Sequence, residues 1–163
     1  MDVDEKIHAQ VLSVWREAKK IFSFLGTEVM LFVTDRHLMF VNKTEGKMKW
    51  WQAATKRQVL TLLKSDNIML LQDGYDEEQL RTDLENKKNV EISFDDILKI
   101  ESKKKAWGGV LSLEFIKNGK NEKFDFSVVK DWVKYPKKAP MTYLDVDWSP
   151  IVQFVKDRQN FTK

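Results

Sequence analysis

Residues 28–42, EVMLFVTDRHLMFVN, alternate with period two on both sides of a polar break. Val29, Leu31 and Val33 point one way, and Met30 and Phe32 point the other. After Thr34-Asp35-Arg36-His37, Leu38 and Phe40 alternate with Met39 and Val41. This is the pattern of a β-hairpin. Its two faces constrain the fold more than the hairpin itself does. A sheet with one wet face shows polar residues on that face. Here both faces are apolar, so one packs a core and the other needs a cover, either a helix or a second subunit.

The second half of the chain is also β-patterned. NVEISF alternates at Val90, Ile92 and Phe94, and LKIE at Leu98 and Ile100. VLSLEFI sets Leu111, Leu113 and Phe115 on one face. Asn118-Gly119 is the strongest short hairpin signal, and the return strand turns Phe124, Phe126 and Val128 inward. Asp95-Asp96 reads as a capped turn rather than an acid–base pair, since neighbours on a strand end face different ways.

Five segments read as helical or irregular. WWQAATKRQVLTLLK carries Val59, Leu60, Leu62 and Leu63 among helix-favouring neighbours, without glycine or proline. A shorter helix begins at Asp76, whose carboxylate forms a capping box with Gln79; Leu80 and Leu84 give it an apolar edge. The C-terminal helix, 149–161, has Ser149 as N-cap and Pro150 at its first position, with Ile151, Phe154, Val155 and Arg158 on one face. Residues 129–147, with Pro136 and Pro140, read as irregular. Residues 4–22 read as a helix or turn capped by Asp4, with Ile7, Val11 and Val14 near helical spacing, and then a strand approaching Phe24. Within them VLSVW is also β-prone.

The 163 residues suit one domain, 1–163, with a helical insertion at 46–87. Six tryptophans and ten phenylalanines supply a large apolar payload, enough for a packed core without disulfides. The absence of cysteine excludes thiol catalysis and cysteine metal sites. The acidic start MDVDEKIHAQ opens no signal-peptide pattern, and no apolar run approaches the roughly 20 residues of a spanning helix. The expectation is a cytoplasmic protein, peripheral to a membrane if it meets one. Net charge is +3. Residues 102–138 hold ten lysines against four acids, which describes a basic edge or merely solvated strand edges and loops.

Strands, a helical interruption, more strands and a terminal amphipathic helix resemble the plan of a pleckstrin-homology-like barrel. Thr34-Asp35-Arg36-His37-Leu38-Met39-Phe40 is similar to a hairpin of the GRAM and bacterial PH-like branch, and Ile92-Ser93-Phe94-Asp95-Asp96-Ile97 to its strand and short turn. The hairpin from Leu111 to Phe126 falls where that branch has its next one. The insertion is a departure from the pattern. The resemblance implies a mainly β fold with helices, an antiparallel barrel closed by the C-terminal helix. It also implies a non-enzymatic binding module that engages phosphoinositides, anionic lipids or acidic peptides through loops.

The candidate ligand site is SKKKAWGG, residues 102–109. Lys103, Lys104, Lys105 and Trp107 read as a basic loop with an aromatic tip, worth roughly 1 kcal/mol per lysine at an anionic bilayer. In the alternative, Trp107 turns inward and plugs the barrel end. The candidate interaction surface is Trp50, Trp51, Leu60 and Leu63. On the helix that Trp50 and Trp51 begin, Val59, Leu60, Leu62 and Leu63 either cover the outer face of the 29–41 hairpin or dock a partner, including a second copy in a homodimer. Neither His8 nor His37 has metal-ligand spacing in the sequence, and no P-loop, dinucleotide or nucleophile-elbow motif is present. No cofactor, metal or enzymatic activity is expected. Nucleic acid is not expected either, because strand aromatics alternate with polar residues as core residues do.

Overall fold

The computed structural model describes residues 4–18, 26–44, 48–65, 67–71, 77–132 and 141–162. Its strands are β1 (Ile7–Ala18), β2 (Gly26–Thr34), β3 (His37–Val41), β4 (Val90–Ser93), β5 (Ile97–Lys105), β6 (Gly108–Lys117), β7 (Lys120–Trp132) and β8 (Met141–Leu144). Helix α1 is Met48–Lys64, α2 is Glu77–Leu84 and α3 is Ser149–Thr162; Phe94–Asp96 form a 3-10 turn. All strand pairs are antiparallel, in the order β4-β3-β2-β1-β7-β6-β5, with β8 added on β7. This is a mainly β, α+β architecture.

The sheet rolls over its own core. Phe40 on β3 stacks on Phe126 of β7 with ring centroids 4.4 Å apart. In the sheet β3 and β7 are separated by β2 and β1, which in a flat sheet would put them roughly 14 Å apart. Val29, Leu31, Val33, Leu38 and Phe40 line the inside, as the alternation of the hairpin requires. The roll is open among the described residues, with β4 and β5 as its edges. Helix α3 lies along that opening. Ile151 and Val155 are fully buried in the core, and the Gln159 amide donates to the Phe94 and Ile97 carbonyls at 2.7 and 3.0 Å. These carbonyls lie where the chain passes from one edge to the other.

The other face of the hairpin gets its cover from the same chain. Met30, Phe32, Met39 and Val41 form a second cluster with Leu12, packed under Trp50 and Trp51 of α1 and Leu80 and Leu84 of α2. Val59 and Leu62 instead reach the main core. Leu60 and Leu63 do not serve as cover: they are 59% and 67% exposed, on the outer side of α1. The predicted cap Asp76 lies outside the described residues, as do Pro136 and Pro140.

Several expectations are corrected. Residues 7–18 are a strand, not a helix. Pairing with β2 runs along the strand and pairing with β7 along Val14–Ala18, and the helix-like spacing of Val11 and Val14 comes from a bulge between them. That bulge leaves Leu12 N–H and Ser13 C=O off the ladder, and fully buried Gln58 serves both. Its Oε1 accepts from Leu12 at 2.6 Å and its Nε2 donates to Ser13 at 3.0 Å. An irregularity between Ile97 and Lys99 turns Ile97 inward and leaves Leu98 51% exposed. Part of the stretch expected to be irregular is strand, as β7 runs to Trp132 and β8 follows at 141–144. Helix α3 is entered one residue earlier than expected: Val152 N–H reaches the Trp148 carbonyl at 3.1 Å, and Asp147 accepts from the Ser149 N–H and hydroxyl.

Candidate functional site

The lysine stretch does not form a loop. Lys103, Lys104 and Lys105 are strand residues of β5, opposite Val110, Gly109 and Gly108. Only Ala106 and Trp107 make the turn. Successive strand residues face opposite ways, so the three ammonium groups do not share a face. Acids accompany them. Lys103 Nζ is 3.6 Å from Glu101, and Lys105 Nζ is 3.6 Å from Asp125. Asp147, held below the usual carboxylate range by its hydrogen bonds from Ser149, is lowered further by Lys104.

Trp107 is half-buried against the Tyr143 ring, with centroids 4.9 Å apart. The tryptophan that fills the core is Trp148, fully buried, with its indole N–H donating to the Gly109 carbonyl at 3.3 Å. The glycines are explained by the same crossing. A Cβ on Gly109 would lie 2.1 Å from the Val146 carbonyl oxygen. Gly108 has φ +144° and would place a Cβ 2.5 Å from that of Asp145. Trp50 and Trp51, edge to face at 4.9 Å, belong to the intrachain cover, so of the four surface residues only Leu60 and Leu63 face solvent.

A dense constellation of polar groups lies elsewhere, at the end of the sheet where β2 turns into β3. Thr34 organises the turn: its Oγ1 accepts from His37 N–H at 2.8 Å and donates to the Glu5 carboxylate. Asp35 accepts from Lys6 N–H at 2.8 Å and from the His8 ring. Its carboxyl is lowered by these bonds, that from His8 first. Arg36 pairs with Asp4 at 3.0 Å, and its carbonyl accepts from Phe94 N–H at 2.9 Å, tying the turn to the 94–96 segment. Ser93 caps that segment through Asp95 N–H, as the sequence predicts a capped turn there. His37 Nδ1 stands 2.6 Å from Glu5 and 3.4 Å from Glu91.

Helix α3 supplies the remaining wall. Arg158 lays its guanidinium carbon 3.2 Å from the centroid of the Phe154 ring. That ring in turn meets His8 at 4.9 Å and Phe94 edge-on at 6.4 Å. Between Arg158, the 35–37 turn and residues 93–95 is a cleft of about 550 Å³. It suits a small charged group, with two guanidiniums, an imidazole and carboxylates on its walls. No protein-family model, curated protein or solved structure matches this chain. Among the described residues no helix is long and apolar enough to cross a membrane.

Sequence reasoning takes Thr34 to Phe40 as a hairpin that carries a family resemblance, and gives His37 no ligand role. The signal it passed over was the turn itself, where aspartate, arginine and histidine follow one another between apolar strands. Charged turn residues clustered over a scaffold are where binding groups concentrate.

Proposed function

We propose that this protein is a non-enzymatic binding module of pleckstrin-homology-like build, taking an anionic group in the cleft between Arg158, the 35–37 turn and residues 93–95. Support for the build is the rolled antiparallel sheet, with its open edges spanned by a terminal amphipathic helix, the arrangement that the resemblance at 34–40 and 92–97 implies. The observation that carries the ligand reading is the stacking of Arg158 on Phe154 beside the cleft. A guanidinium held against a ring, with one N–H donating to the Phe154 carbonyl at 3.4 Å, keeps its other N–H groups for a carboxylate or phosphate, and part of its side-chain entropy is already lost before binding. The lysine edge is the weaker seat, because its three ammonium groups do not share a face and none is held against a ring. A cytoplasmic placement, peripheral to a membrane when the anion is a lipid headgroup, belongs to the same reading.

The test titrates three proteins with vesicles bearing anionic headgroups and, separately, with a glutamate-rich peptide. The proteins are the wild type, Arg158→Ala, and the triple variant Lys103→Ala, Lys104→Ala, Lys105→Ala. The expected result is binding to one probe that weakens about tenfold in Arg158→Ala and persists in the triple variant. Loss in the triple variant alone returns the site to β5. No binding to either probe at low salt overturns the anion reading. A second reading, self-association through the 50–84 insertion, rests on the exposure of Leu60 and Leu63 one turn apart on α1. A mass that rises with concentration, and that Leu60→Lys with Leu63→Lys holds at the monomer value, supports it; a wild-type monomer throughout removes it.

A further inference from the structure

We infer that Glu5, His37 and Glu91 form a binding site for a divalent transition-metal ion of the zinc class. Among the described residues these three bring one imidazole nitrogen and two carboxylate oxygens within 4.8 Å of one another. They come from the segment before β1, the start of β3 and the middle of β4, and the register of the sheet fixes their meeting. His37 stands opposite Ser93, and Met39 opposite Glu91, so His37 and Glu91 are diagonal neighbours on one face, within reach of long side chains.

The spacing suits a small ion. Metal–ligand bonds of about 2.0–2.2 Å set tetrahedral ligand atoms about 3.3–3.6 Å apart. His37 Nδ1 to Glu91 is 3.4 Å already, while His37 Nδ1 to Glu5 is 2.6 Å. Opening that second contact to the ligand spacing takes a movement of under about 1 Å, within the rotamer freedom of a glutamate. Burial grades across the trio. The Glu5 side chain is fully buried, and that of Glu91 is 38% exposed. Such a gradient makes a closed side that fixes an ion and an open side that admits one. Thr34, donating to Glu5 and accepting from His37 N–H, is the outer group that orients two ligands at once.

The donor set selects the metal. Calcium and magnesium take oxygen ligands, whereas an imidazole with two carboxylates suits zinc and its first-row neighbours. His37 also lines the cleft beside Arg158, so an ion here adds positive charge to that wall. The inference itself rests on the three side chains and stands whether or not the cleft takes an anion.

The experiment is calorimetric titration of tag-free protein with Zn²⁺, without any anionic probe, alongside Mg²⁺ and with Co²⁺ followed by its visible absorption. The chain has two histidines, so His8→Asn checks that the other imidazole is not the ligand. Expected are one equivalent of Zn²⁺ bound with a Kd below about 100 μM, cobalt bands of a nitrogen–oxygen site, and no heat from Mg²⁺. Glu91→Gln weakens binding by about tenfold or more, His37→Asn abolishes it and His8→Asn leaves it in place. Glu91 is partly exposed, so its variant keeps the test valid if His37→Asn fails to fold. Wild-type binding absent below about 100 μM overturns the inference, as does binding unchanged in both Glu91→Gln and His37→Asn.

Discussion

Glu28 stands on β2 opposite Trp15 of β1 and accepts a hydrogen bond from the Ser13 hydroxyl, which itself accepts from Thr55 of α1 at 2.9 Å. Burial pushes its carboxyl from 4.5 up to about 7, against the lowering pull of the Ser13 bond. Folded Glu28 therefore holds its proton where unfolded Glu28 has released it. The stability this gives is fully present below pH 4.5, declines as pH rises and is lost once pH passes about 7. Fully transmitted, the displacement is worth about 3 kcal/mol; with the side chain still partly in water we expect about 1–2 kcal/mol. Glu28→Gln keeps an acceptor for Ser13 and removes the titration. Urea unfolding at pH 5, 6, 7 and 8 is the assay. Relative to the variant, the wild type loses about 1–2 kcal/mol between pH 5 and 8, with the change finished near pH 7. A difference between the two proteins that is flat across this range, or that moves the other way, refutes the reasoning. The lowered carboxyls of Asp35, Glu101 and Asp147 titrate below this window and do not confuse it.

Gly109→Ala forces a Cβ against the Val146 carbonyl and lowers stability by about 2–3 kcal/mol, read from the urea midpoint; a change under about 0.5 kcal/mol contradicts the crossing described there. Gln58→Ala strands the Leu12 N–H and Ser13 carbonyl and costs about 2–4 kcal/mol, with hydrogen exchange at Leu12 accelerated more than at Val29. Trp148→Ala empties the middle of the core and costs about 3–5 kcal/mol, whereas Trp107→Ala, at a half-buried turn, costs about 1 kcal/mol or less by thermal or urea unfolding.

What could be read in the chain before its structure divides along physical lines. The 28–42 hairpin was legible because its register has period two and both faces are needed. Asn118-Gly119 was legible because its positive φ angles, 52° and 74°, suit those two residues best. Helix α3 was legible from its periodicity, although its first backbone bond runs to Trp148, one residue before the expected cap, and Asp147 accepts from Ser149. Strand β1 was hidden because its bulge imitates helical spacing, and only the partner Gln58, 46 residues away, shows why the irregularity is tolerated. Leu98 was misplaced for a similar reason. The three lysines were taken for a loop because charge density reads as exposure, and an edge strand is equally exposed. The cleft beside Arg158 left one signal in the sequence, the charged turn at 35–37, whereas the trio of the inferred metal site left none. Glu5, His37 and Glu91 are ordinary residues in their own segments, and they acquire a chemistry only when β3 pairs with β4 and residue 5 folds back to Thr34.

The open roll has a consequence for the newborn chain. Helix α3 follows the end of β5 by about 44 residues. At about 5–20 residues per second the ribosome takes roughly 2–9 s to make that stretch. During this interval β5 lacks the helix that later lies along the opening. A bare edge of that kind invites pairing with other nascent chains. Its sequence from Ser102 onward is three lysines, which repel a second copy of themselves. The charges that looked like a handle for a ligand thus lie where they keep an unfinished molecule apart from its siblings.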